Sequence, residues 1–371
     1  MQVDADVIVI GAGVVGAALA YGIARRGSRV IVLDGNDRDF RAARANFGLV
    51  WVQGKGSDNP AYAELSMDSA DLWPRFRNEL MDVCESSIDY ARPGGLVFCL
   101  SEKDFVARTD LIGRSHNQQS EAHSEMIERP ALERMMPAVT LGPDVVGASY
   151  CKLDGHVNPL HLYSALQRAL RPLGGQLRFR HAVEEICPTA GGYLVRAGGE
   201  SISAPRVIVA AGLQTQAITA PLGFNIPLHS ERGQILVTER VSPILPFPAS
   251  GMRQTADGTV MIGATNENIG DTAVSVDATV TLARRAQRII PALASARLVR
   301  QWGGLRVLSP DKAPIYAECE HHPGLFAAVC HSGVTLAAIH AEIVGPAMAE
   351  GHLPSTLAPF SNGRFDVQKC A

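Results

Sequence analysis

The chain has 371 residues, 46% hydrophobic and 19% charged, which is long and apolar enough for two cored domains and gives no sign of a disordered tail. A formal net charge of -3 offers no basic surface for nucleic acid or anionic lipid. Its seven cysteines are odd in number and include no C-x-x-C pair, which points to free thiols in a reducing compartment and argues against an iron–sulfur cluster or structural zinc, so no metal site is expected.

In chain order, Val7-Ile8-Val9-Ile10 is a β-branched run typical of a parallel strand buried on both faces. The apolar stretch from Val7 to Ala24 lacks the basic start of a signal peptide, because Asp4 and Asp6 precede it. No other stretch suits a membrane span, and a cytoplasmic location is expected. A helix is predicted from about Val14 to Arg26 and a strand from Arg29 to Leu33, ending at Asp34, which completes a βαβ unit. Further on, Leu72–Val83 reads as helix, Gly94–Leu100 as strand, Pro137–Tyr150 as turn-rich and Leu160–Leu170 as amphipathic helix. Val207–Ala210 is another buried strand. Gln234–Val237 and Val260–Gly263 read as strands of a separate antiparallel sheet, and Thr281–Ile290 as a helix. Leu325–Val329 is the last strand and Gly333–Ala349 the last helix.

Gly11-Ala12-Gly13-Val14-Val15-Gly16 fits G-x-G-x-x-G and sits where that motif has meaning, after a strand and at a helix start. Gly11 permits the tight turn, Gly13 lets backbone approach a pyrophosphate, and Gly16 lets the helix pack against the strand. The amides of Val14 and Val15 open the helix toward the phosphates. Asp34 ends the next strand, where a carboxylate accepts hydrogen bonds from a ribose diol and disfavours a 2′-phosphate. The fold expected is α/β, α+β overall: a Rossmann-like dinucleotide-binding domain interleaved with a substrate domain built on an antiparallel sheet. No repeat or Ser/Gly linker separates them. The dinucleotide domain is placed at 1–82, 145–222 and 298–371, and the substrate or interface domain at 83–144 and 223–297.

Later segments carry a family resemblance. Arg44-Ala45-Asn46-Phe47-Gly48, Val207-Ile208-Val209-Ala210-Ala211-Gly212, Arg232-Gly233-Gln234, Trp302-Gly303-Gly304-Leu305-Arg306, Ser309-Pro310-Asp311-Lys312-Ala313-Pro314-Ile315 and His331-Ser332-Gly333 fall in one order. In these the chain resembles the FAD-dependent amino-acid oxidase superfamily, which includes D-amino-acid, glycine and sarcosine oxidases. Cys330 stands where a glycine is usual. Within the superfamily, the stretches Asn46–Trp51, Gln53–Gly56, Leu305–Asp311 and Cys330–Ala337 are most similar to β subunits of opine (octopine and nopaline) oxidases and D-hydroxyproline dehydrogenases. The glycine-oxidising subunit of hydrogen cyanide synthase is also similar.

The resemblance implies FAD as cofactor. Arg44, Ala45, Asn46, Gly48 and Leu49 would lie along its diphosphate, with Val183, Ala211 and Gly212 beside it and Arg306 close to it. Ser332, Gly333, Val334 and Thr335 would open the last helix, their amides facing the flavin N1 and O2 edge. The cofactor is expected to be non-covalent, because no cysteine lies between Gln301 and Asp311, where one attaches flavin in monomeric sarcosine oxidases. Met261 matches the position of those enzymes' oxygen-activating lysine. Arg306 is the candidate anchor for a substrate carboxylate, since a guanidinium grips one with two parallel bonds; a structural ion pair is the alternative. Thr265, Glu267 and His331 are further candidate catalytic residues, against a solvated loop or a packed histidine. His229 and Tyr316 are read as structural.

The reaction expected is oxidation of a C–N bond in a small carboxylate-bearing secondary amine, of opine or D-hydroxyproline type, to an imine by hydride transfer to flavin N5. The chain would be the catalytic β subunit of a hetero-oligomeric dehydrogenase, with an α subunit and a small ferredoxin-like [2Fe-2S] chain as partners. The alternatives are a stand-alone glycine, sarcosine or D-amino-acid oxidase producing hydrogen peroxide, and a non-catalytic flavin-binding scaffold subunit.

Overall fold

The computed structural model describes residues 3–35, 42–116 and 123–366. The β-branched runs form the middle of a six-stranded sheet, in spatial order Ile315–Glu318, Leu325–Val329, Arg206–Val209, Val7–Ile10, Val30–Asp34 and Gln176–Phe179. All neighbours are parallel except the Ile315–Glu318 pair. Every residue of Val7–Ile10, Val30–Asp34 and Leu325–Val329 is buried, which is why these strands read as continuous apolar runs rather than alternating ones. Helices Val14–Arg25 and Pro159–Leu170 cover one face. The other is covered by the three-stranded antiparallel sheet Val183–Thr189, Gly192–Ala197 and Glu200–Ala204, which the sequence reading did not resolve.

The second layer is antiparallel throughout. Four strands lie in the order Met252–Gln254, Thr259–Gly263, His229–Arg240 and Leu298–Leu308. A three-stranded group, Gly95–Cys99, Gly147–Cys151 and Ser124–Glu128, joins it where Leu96 donates to the Pro248 carbonyl at 3.0 Å and accepts from Ser250 at 2.9 Å. Two expectations are corrected here. Gly147–Cys151 falls within the segment read as turn-rich, yet it is a paired central strand. Leu298–Leu308, assigned to the dinucleotide domain, pairs along its length with His229–Arg240 instead. Its Gly303-Gly304 pair hid it, and both glycines have a packing reason: a Cβ on Gly304 would lie 2.3 Å from Ala45 Cβ, and one on Gly303 would lie 2.7 Å from the Thr272 carbonyl.

The end of the chain differs as well. Residues 331–336 are consecutive turns, and regular helix begins at Ala337, passing through a π turn at His340–Val344 before Gly345–Glu350. Buried His340, bonded to the Tyr316 hydroxyl at 2.7 Å, sits at the start of that π turn. No helix among the described residues is long and apolar enough to cross a membrane.

Candidate active site

A cavity of about 1020 Å³ lies where the two layers meet. Its walls come from residues 42–62, the strand ends near Gly233 and Gly263, the Gly304–Val307 stretch, and the Cys330–Thr335 turns.

At the dinucleotide turn the glycines divide by cause. Gly11 has φ +102°, and a Cβ there would come within 2.5 Å of the Ala210 carbonyl; one on Gly16 would lie 1.9 Å from the Gly11 carbonyl. Both are required by the protein's own packing. Gly13 has an ordinary φ of -65°, and a Cβ there would meet nothing within 4 Å. Only a ligand makes that position need glycine. Buried Asp34 accepts from the Ala12 amide at 2.8 Å, which holds the strand end against the turn.

The other expected cofactor contacts divide. Ala45, Asn46, Leu49, Ser332, Val334 and Thr335 line the cavity. Gly48 lies just behind the wall with φ +88°, its amide bonded to Asn46 Oδ1 at 2.7 Å. A Cβ on Gly333 would lie 3.2 Å from Val15, so the last turns lie beside the first helix. Gly212 approaches Val307 of the wall, at 3.5 Å for a built Cβ. Arg44 lies within the short helix Ala42–Ala45 and Val183 begins the outer antiparallel sheet; neither lines the cavity.

Arg306 faces the cavity from strand Leu298–Leu308. Nη2 donates to the Thr265 carbonyl at 2.7 Å and Nη1 to Glu231 at 2.7 Å, so both alternatives for this residue meet: an ion pair on a cavity-facing guanidinium. Gly233 makes room for it, since a Cβ there would lie 2.7 Å from Nη2. Thr265 and Glu267 turn away from the cavity, and Ala264 and Asn266 line it instead. The Thr265 hydroxyl donates to Glu267 and accepts from the Gln234 amide at 2.9 Å. Glu267 pairs with buried Arg232 at 2.6 Å and accepts from Gln234 at 2.8 Å. Burial opposes its charge, but these hydrogen bonds outweigh burial and hold its carboxyl below the usual range. Its geometry is that of a structural clamp.

His331 opens onto the cavity. Burial, reinforced by the charges of Lys55, Arg306 and Lys312, pushes its imidazole down to about 3, so it is neutral at physiological pH. Met261 is buried with its sulfur 3.0 Å from Arg253 Nη2. Arg253, 3% exposed, also donates to the Phe47 carbonyl and so pins the diphosphate-side segment.

Among the cavity-wall residues that sequence reasoning missed are Lys55 and Tyr62. The available signal was a lone lysine between glycines in a stretch whose neighbours Val52 and Gln53 are buried. The Lys55 ammonium donates to Ser332 Oγ and lies 5.7 Å from the Tyr62 ring centroid, and the Tyr62 hydroxyl is 2.7 Å from the same Ser332 oxygen. Burial pushes the Cys330 thiol beside them up to about 12 and keeps it protonated.

These features fit FAD. The open space at Gly13 leaves room for a pyrophosphate, and among the described residues the backbone N–H groups of Gly333, Val334 and Thr335 find no protein acceptor. The FAD-dependent oxidoreductase profile (DAO) matches residues 6–345. The chain belongs to the FAD-dependent oxidoreductase (DAO) family. It is 42% identical over 369 residues to the B subunit of opine oxidase from Rhizobium meliloti, with 99% of each chain covered. The identity is again 42%, over 371 residues and 99% of each, to the B subunit of opine oxidase from Agrobacterium tumefaciens (strain Ach5). In fold it is similar to glycine oxidase from Geobacillus kaustophilus, with a TM-score of 0.87 at 23% identity, covering 96% of this chain and 98% of that one. As a DAO member the protein is an FAD-dependent oxidoreductase.

Proposed function

We propose that this DAO enzyme oxidises the C–N bond of a carboxylate-bearing secondary amine, of opine or D-hydroxyproline type, to an imine. It would act as the catalytic subunit of a hetero-oligomeric dehydrogenase. Bound FAD supplies the hydride acceptor at N5. The protein's part is placement. The observation that carries the reading is Arg306, whose guanidinium faces the same cavity as the free amides of residues 333–335. Three bonds, to Glu231 and to the Arg232 and Thr265 carbonyls, hold the guanidinium plane. Its remaining N–H groups can take a carboxylate, which sets the position and roll of the adjacent C–H. Lys55 and Lys312, which with Arg306 act on His331, place three cations at this end of the cavity, while the carboxylates of Glu231 and Asp311 are engaged by Arg306 and Arg364. Neutral His331 adds no like charge against the substrate amine, which must itself be neutral to react.

Full-length similarity to two opine oxidase chains, each of them the B member of its enzyme, supports partner chains for this one. We take these to be an α subunit and a small ferredoxin-like [2Fe-2S] chain that carry electrons onward. The test is a panel of opines, D-hydroxyproline, glycine, sarcosine and D-amino acids, given to the FAD-loaded chain alone and co-expressed with the products of adjacent genes. Anaerobic bleaching of the flavin by opines or D-hydroxyproline, with little peroxide in air, is the expected result. Peroxide at the rate of bleaching would make it a stand-alone oxidase, and no bleaching by any amine would make it a scaffold.

A further inference from the structure

The Lys55 ammonium is half-buried at the cavity wall, and its neighbours are a hydroxyl, an aromatic face and a protonated thiol. Burial pushes the Tyr62 phenol well above its ordinary range and holds it neutral. Among the described residues Lys55 forms no ion pair. Burial lowers the ammonium to about 8, so it is still charged at neutral pH. Asp154 offsets part of the cost of burial at a distance but makes no ion pair with the ammonium, and a cation kept at a cavity wall without a contacting counter-ion points to an anion that arrives with a ligand or a reaction.

Its position is built rather than incidental. Gly54 and Gly56 hold left-handed φ values of +76° and +62° on either side of it, and a Cβ on Gly56 would lie 2.3 Å from the Ala63 amide. Behind the turn, buried Asp154 accepts from the Val52 amide at 2.5 Å and from Gln53 Nε2 at 2.6 Å, and Arg108 donates to Gln53 Oε1 at 2.7 Å. This network fixes the turn and aims Lys55 at Ser332.

Three anions belong to the proposed chemistry. The pyrophosphate has the Gly11–Gly16 turn, and the substrate carboxylate has Arg306 on another strand. The third is the negative charge left on the N1–C2=O edge of the flavin when it takes up two electrons and one proton. We propose that Lys55, held by the Asp154–Gln53 clamp and bonded to Ser332, is the charge partner of the reduced flavin and sets its potential. This rests on the placement of that edge against residues 332–335.

The test measures the midpoint potential of bound FAD by dye equilibration in the full-length enzyme, for wild type, Lys55→Met and Lys55→Arg, with no amine present. Removing the charge should disfavour the reduced form by about tenfold or more, a fall of about 30 mV for a two-electron couple, and Lys55→Arg should restore most of it. If Lys55→Met does not hold FAD, Lys55→Gln, which keeps a donor to Ser332, takes its place. An unchanged potential in a loaded, uncharged variant overturns the proposal. So does loss of FAD from all three variants, which would make Lys55 a binding residue. A raised KM for the amine at unchanged potential would reassign it to the substrate carboxylate. Because no amine enters the measurement, a potential shift in a chain that no amine bleaches would leave this inference standing and sink the proposed function alone.

Discussion

The arginine on strand Leu298–Leu308 is the residue on which the proposed substrate geometry turns. Arg306→Ala removes both the carboxylate grip and the partner of Glu231, leaving that carboxylate unpaired. We expect KM to rise by about 100-fold or more, in line with loss of a charge-assisted bidentate contact of roughly 3 kcal/mol, while FAD stays bound. Arg306→Lys keeps the charge but not the fork, and should recover only part of the loss. Steady-state kinetics beside the flavin absorbance separates the outcomes, and an unchanged KM in Arg306→Ala removes the residue from the substrate site. Gly13 gives a second contrast. Its built Cβ meets no protein atom, whereas that of Gly16 would strike the Gly11 carbonyl. Gly13→Val should therefore fold with wild-type circular dichroism yet emerge colourless, and Gly16→Val should not fold. A yellow, fully loaded Gly13→Val would refute the placement of the pyrophosphate.

At the level of elements, the central sheet was legible because burial on both faces writes itself as short unbroken apolar runs. Val7–Ile10, Val30–Asp34, Arg206–Val209 and Leu325–Val329 all declare themselves this way. The elements that escaped notice are those whose reasons lie in tertiary contact. Gly303 and Gly304 look like strand breakers until Thr272 and Ala45 are seen against them. The turns of residues 331–336 keep amides free where a regular helix was expected. Lys55 is visible in the sequence but its role is not, because Asp154 and Arg108, which fix its turn, lie about 100 and 50 residues away along the chain. The Asp154 clamp carries a pH signature. Burial pushes its carboxyl up to about 7, against the pull of the Val52 and Gln53 donors and the Arg108 charge. A folded value above the unfolded one means that its contribution is full below the unfolded value of 3.8 and is lost as pH rises through about 7. Buried His340 and half-buried His156 act oppositely, their folded values of about 3 and 4 withdrawing stability as pH falls below 6.5. The comparison with Asp154→Asn cancels the histidines. The excess Tm of wild type over the variant should be largest near pH 4, fall between pH 4 and 7 and level off above that; a difference independent of pH would refute the assignment.

For the whole molecule, the cavity walls come from segments far apart in the chain: residues 42–62, Gly233 to Asn266 and Gly304 to Val307 from the antiparallel layer, and the turns at 330–335. A ligand filling about 1020 Å³ between them binds only the assembled chain, so mass action makes it part of the stability. At a free FAD concentration near 1,000 times Kd the gain is about 4 kcal/mol. Spread over the unfolding entropy of a chain of 371 residues, that corresponds to a Tm shift of about 5 °C. The apoprotein, stripped with potassium bromide, should melt lower by that order, and its Tm should climb with the logarithm of added FAD. Amide exchange gives the place as well as the size. Protection gained on reloading should concentrate in residues 42–58 and 330–336, because their amides face the cavity, while strands Val7–Ile10 and Leu325–Val329, fully buried without the ligand, should change little. A Tm indifferent to FAD, or protection spread evenly over the central sheet, would mean that the cofactor sits elsewhere than between the two layers.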